Sequence, residues 1–203
     1  MKDLSLFCLI VLAVAACNEP DKQAAKPVEA GTPTPLFISK NTDAFNQPFE
    51  HLLTTYYALR DVFVEYDTTQ INMISRELSA DAGSLQLGEL KPDSTGIQQK
   101  DAKKWTDAVK AAAGQIAGQK NFEQKQKAFE TVSDALYALT RTVKYDKEKL
   151  YHQHCPMAFN NKGASWISNS SQIVNPYMGK KHPKYRSAML ECGDIPDSLD
   201  FRQ

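Results

Sequence analysis

The side chains of this sequence best suited to chemistry are crowded into its last quarter. Residues 151–203 hold three of the four histidines (His152, His154, His182), three of the five methionines (Met157, Met178, Met189) and two cysteines, Cys155 and Cys192. Soft sulfur and imidazole together make the donor set that Cu(I) or Zn(II) requires. Two sub-clusters stand out, His152-Gln-His154-Cys155-Pro-Met157 and Met189-Leu-Glu-Cys192-Gly193. Pro156 fixes one backbone angle between two sulfur residues and limits the shapes of that loop. In an extended chain Cys155 and Met157 face one way, and His152 and His154 share a face.

The same residues support other chemistry. A disulfide between Cys155 and Cys192 closes a loop of 36 intervening residues, a link typically worth about 2–4 kcal/mol. Met157 and Met189, taken alone, are core packers before they are ligands. Cys155 with His152 or His154 is the weakest option, a nucleophile and base. The sequence has no Cys-x-x-Cys pair and no acidic residue recognisably placed to orient either histidine, so no enzyme is expected. His51 lies off the apolar stripe of its helix and reads as solvated.

These residues belong to an exported chain. Lys2 precedes an apolar run from Leu4 to Ala16, which is too short to cross a bilayer core of about 30 Å as a helix. It reads as a signal peptide over 1–16. Val14-Ala15-Ala16-Cys17 resembles a bacterial lipobox, which implies lipidation of Cys17 and attachment to a membrane. The reading places the protein in the envelope of a Gram-negative bacterium, on the inner or outer membrane, facing the periplasm or the surface. Cys8 is lost with the signal, so Cys155 and Cys192 remain in a compartment where thiols oxidise. Residues 17–42 carry Pro20, Pro27, Pro33 and Pro35 among small and charged residues, the composition of a disordered tether. The folded domain is expected over 43–203.

Four helical periods open that domain. Phe45, Phe49, Leu52, Tyr56, Leu59, Phe63 and Tyr66 alternate steps of four and three residues and share one face. Ile71, Ile74, Leu78, Ala82 and Leu85 form a second stripe, with Asp67 and Gln70 as its capping box. Ala102, Trp105, Val109, Ala112 and Ile116 form the third. Phe122, Phe129, Val132, Leu136, Leu139 and Val143 follow Asn121 as the fourth. Short connections between them predict a mainly α fold, an up-down antiparallel bundle of about four helices with an irregular C-terminal segment packed on it. Lys and Arg total 24, as do Asp and Glu, and that balance argues against nucleic acid as a partner. A mean hydropathy of -0.46 excludes a multi-span membrane protein.

The C-terminal segment resembles a bacterial domain-of-unknown-function family. The likeness is carried by Tyr151-His-Gln-His-Cys155-Pro156-Met157-Ala158, Gly163-Ala-Ser-Trp166-Ile-Ser168, Ile173-Val-Asn175-Pro176-Tyr177-Met-Gly179 and Met189-Leu-Glu-Cys192-Gly193. Members include small lipoproteins and domains fused to periplasmic adaptors of copper/silver efflux systems. The resemblance implies a helical domain that binds or handles a soft heavy metal, Cu(I) before zinc, with efflux components as partners. It implies Cys155, Met157, Met189 and Cys192 as ligands, with His154 and His152 as further candidates. Tyr151, Trp166, Asn175, Pro176 and Tyr177 are implied to shape the site. The basic stretch 180–186 departs from the family pattern and leaves His182 outside that set.

Overall fold

The computed structural model describes residues 40–90 and 95–202. The expected signal peptide, the lipidation site Cys17 and the tether as far as residue 39 lie outside them. The described chain runs α1 (Asp43–Glu65), α2 (Thr68–Ser84), α3 (Ile97–Ile116) and α4 (Phe122–Val143). It continues through β1 (Leu150–Cys155), a one-turn α5 (Ala158–Asn161), β2 (Ala164–Ser168) and β3 (Asp194–Leu199). No described helix is long and apolar enough to cross a membrane.

Each long helix follows its apolar stripe and starts where a side chain can cap it. Thr42 accepts the Phe45 amide and opens α1. Pro48 therefore lies inside the helix, where it removes one intrahelical donor. Asp67 accepts the amides of Thr69 and Gln70 to begin α2, and Asn121 accepts that of Gln124 to begin α4. Tyr66 ends α1 at φ 58°, its amide returning to Phe63 while the Asp67 amide returns to Val62. That left-handed stop turns the chain into α2 within two residues.

The four helices pack as an antiparallel bundle, as the periodicity predicts. Phe122 and Phe129, early in α4, stack on Tyr66 and Tyr56 and meet Phe63 edge-on and tilted, late in α1. Phe49, early in α1, meets Tyr145 beyond the end of α4. Gln98 at the start of α3 donates to Thr142 O at the end of α4. Phe45, Phe49, Leu52, Tyr56, Leu59, Phe63, Phe129, Leu136 and Leu139 are fully buried, and their removal from water is the main driving force for the bundle.

The last quarter packs on the bundle and adds a three-stranded antiparallel sheet in the order β2-β1-β3. Cys155 pairs with Ala164 and Tyr151 with Ser168 on one side of β1, while Leu150 pairs with Leu199 on the other. Between His152 and His154 the β3 register slips, and that irregularity lets Pro196, which has no amide to donate, sit in an edge strand. Tyr56 joins sheet to bundle. Its hydroxyl accepts the Ile167 amide and donates at 2.7 Å to Ser133 Oγ, whose own proton goes to Phe129 O. Residues 40–42, counted with the tether in the sequence, are docked here. The Asn41 side chain donates to Val143 O, and the Lys40 amide to Asp146.

Candidate functional site

Cys155 ends β1 and Cys192 precedes β3, the two strands paired edge to edge. Their sulfurs are 2.8 Å apart. Cys155 is fully buried and Cys192 is partly exposed. Burial first, and then contact with Cys155, pushes the Cys192 thiol up to about 11; the Met157 amide, donating to that sulfur, works in the opposite direction. At neutral pH Cys192 is therefore a thiol and a poor nucleophile.

The approach of the two cysteines depends on residues that carry no sulfur. Asn175 is fully buried. Its side-chain amide donates to Cys192 O at 2.7 Å, its carbonyl accepts the amides of Tyr177 and Met178, and its backbone amide donates to Leu190 O at 2.8 Å. One carboxamide thus fixes the segment before Cys192 against the Asn175-Pro176-Tyr177 loop. Gln126 of α4 donates to the carbonyls of Pro176 and Tyr177, and Tyr177 donates its hydroxyl to Ser165 O at 2.7 Å. The Trp166 ring meets Tyr177 edge-on. Gly193, at φ 150°, has no room for a Cβ, which would fall 2.8 Å from His154 O and 3.2 Å from the Trp166 ring. These contacts account for the signature residues Trp166, Asn175, Tyr177 and Gly193, while Pro176 contributes only its carbonyl.

The histidines do not join the sulfurs. Cys155 and Gln153 face the core, so strand alternation sends His152 and His154 to the opposite face of β1. His154 Nδ1 is 3.0 Å from Ser165 Oγ. His152 stacks on Tyr137, centroids 4.3 Å apart, and its burial there lowers its proton affinity. Among the described residues no histidine or carboxylate completes a group of three ligand atoms with Cys155 and Cys192. Tyr151 lies at the far end of β1, paired with Ser168. Met157 and Met189 flank the cysteines in the chain and are partly buried against the core. The Met189 carbonyl accepts the Cys192 amide at 3.0 Å.

A cleft of about 460 Å³ is lined by Met157, two residues after Cys155, and by Tyr66, Phe122, Phe159, Tyr177 and Tyr185 among others. One wall is the α5 turn, where Phe159, Asn160 and Asn161 all have positive φ. Three successive left-handed residues, one of them aromatic, are a strained arrangement that the surrounding contacts must hold. The sequence reading assigned Tyr66 and Phe122 to core stripes and did not foresee this cleft. The two rings stack on each other with centroids 4.0 Å apart, at the C-terminus of α1 and the N-terminus of α4.

Residues 52–148 match the model of a family described as protein of unknown function (DUF3347). The match covers the bundle from within α1 to the connection before β1, and ends short of the cysteine pair and the segments carrying the C-terminal signature. Neither the curated proteins nor the solved structures include a match to this chain.

Proposed function

We propose that this chain is an exported, membrane-tethered binding module without catalysis, whose C-terminal segment is stapled by a Cys155–Cys192 disulfide to hold the aromatic cleft open. The observation that carries this reading is the 2.8 Å contact between the sulfurs. Forming a bond of about 2.05 Å from there needs only a small closing movement. Two thiolates on a tetrahedral zinc stand about 3.8 Å apart, given Zn–S bonds of about 2.3 Å, and need further ligands. His152 and His154 point away from that position. The raised Cys192 thiol supports a structural rather than a nucleophilic role. The staple also depends on export by the apolar N-terminal run and on an oxidising compartment.

A second reading, handling of Cu(I) within copper/silver efflux or homeostasis, is favoured by one observation. The two thiols meet beside Met157 and Met189, all soft donors, and Cys192 and both methionines are partly exposed. Anaerobic Cu(I) titration of the reduced chain separates the two. On the first reading the reduced chain's copper affinity is the same with and without Met157→Leu and Met189→Leu, and reducing the disulfide lowers the unfolding free energy by about 2–4 kcal/mol. One Cu(I) per chain, weakened by Met157→Leu with Met189→Leu, would replace the first reading with the second.

A further inference from the structure

Away from the cysteines, a second set of donors meets across the α1–α2 interface. His51 projects from α1, and Glu77 and Asp81 stand one helical turn apart on α2. One ligand atom from each lies within 4.8 Å of both others. His51 Nε2 is 3.5 Å from Asp81 Oδ1. Two ligands bound at about 2.0–2.1 Å to a tetrahedral zinc are about 3.4 Å apart, so this separation already matches a shared ion.

One neighbour orients Asp81. Thr55, buried one turn beyond His51, donates its hydroxyl to the other Asp81 oxygen at 2.7 Å. That bond leaves Oδ1 turned toward the imidazole, the way an outer hydrogen bond commonly aims a metal-binding carboxylate. Glu77 and Asp81 are like charges at i and i+4, a pairing that weakens a helix unless a cation lies between them. The imidazole adds a nitrogen donor from the neighbouring helix, so the arrangement is a mixed nitrogen and oxygen set rather than an acidic patch.

We propose that His51, Glu77 and Asp81 form a surface site for a zinc-class divalent cation that pins α1 to α2, with solvent in the remaining coordination position. The donor set of one imidazole and two carboxylates suits zinc and its neighbours better than Cu(I), which prefers the sulfur pair. The site stands apart from the proposed staple and shares no residue with it.

The test is zinc titration of the full chain, followed by X-ray absorption at the zinc edge. The expected result is one Zn(II) per chain in a shell of nitrogen and oxygen at about 2.0–2.1 Å, with no sulfur. His51→Ala and Glu77→Gln alter exposed residues, keep the helical circular dichroism and lose the binding. A sulfur shell at about 2.3 Å would overturn this site by moving the metal to Cys155 and Cys192. Unchanged affinity in His51→Ala would overturn it as well. The titration is repeated on the Cys155→Ser, Cys192→Ser chain, which keeps the nitrogen and oxygen shell whether or not the staple forms.

Discussion

Asn175 concentrates on one side chain the contacts that bring Cys192 to Cys155. Replacing it with Ala leaves Cys192 O and the amides of Tyr177 and Met178 without the partners they now have. Each buried group left unpaired costs about 1–3 kcal/mol. Asn175→Ala should therefore lower the urea midpoint strongly, while an unchanged midpoint would show that the loop is held by other contacts. His152 offers a pH test at the same scale. Burial against Tyr137 lowers its folded proton affinity, so the unfolded chain binds the proton more readily. Its contribution to stability is fully present above the unfolded value of about 6.5 and is lost as pH falls through the folded one. His152→Gln should flatten the acid side of the stability curve just below pH 6.5, measured by denaturation at stepped pH. A curve that keeps the wild-type slope would assign that loss to other groups.

The elements were unequally legible in the sequence. The helices could be read because aromatic and aliphatic residues return every three or four positions, and because Asp67 and Asn121 stand where caps are needed. Leu136 is fully buried in that core, and Leu136→Ala should cost about 2–5 kcal/mol by thermal or chemical unfolding. A loss under 1 kcal/mol would mean that α4 repacks around the gap. The sheet was not visible in the same way. Its central strand buries Gln153, whose amide donates to Ser170 O and Gln172 O, and β3 buries only Leu199. Neither strand shows the apolar alternation that marks a half-buried sheet. The pairing of His152 with His154 on one face followed from an extended chain. The same alternation puts Cys155 on the other face, and the structure adds that the cysteine face is the buried one.

At the scale of the whole molecule, the bundle carries a last quarter in which the two cysteines meet. The family match stops before β1, whereas the cysteine pair, the Asn175 clasp and one wall of the cleft lie beyond it. The C-terminal segment is held on the bundle by Gln126, Tyr56 and the Tyr177 ring. A covalent link between Cys155 and Cys192 would restrict how far that segment can open, and with it the shape of the cleft. The most direct test is to express the full chain with its N-terminal apolar run in a bacterium, recover it without reductant, denature it in excess alkylating agent, digest it with trypsin and weigh the peptides. The account predicts the peptide 150–162 joined through Cys155 to the peptide 187–202 through Cys192. Recovery of the two peptides separately, each alkylated, would contradict it.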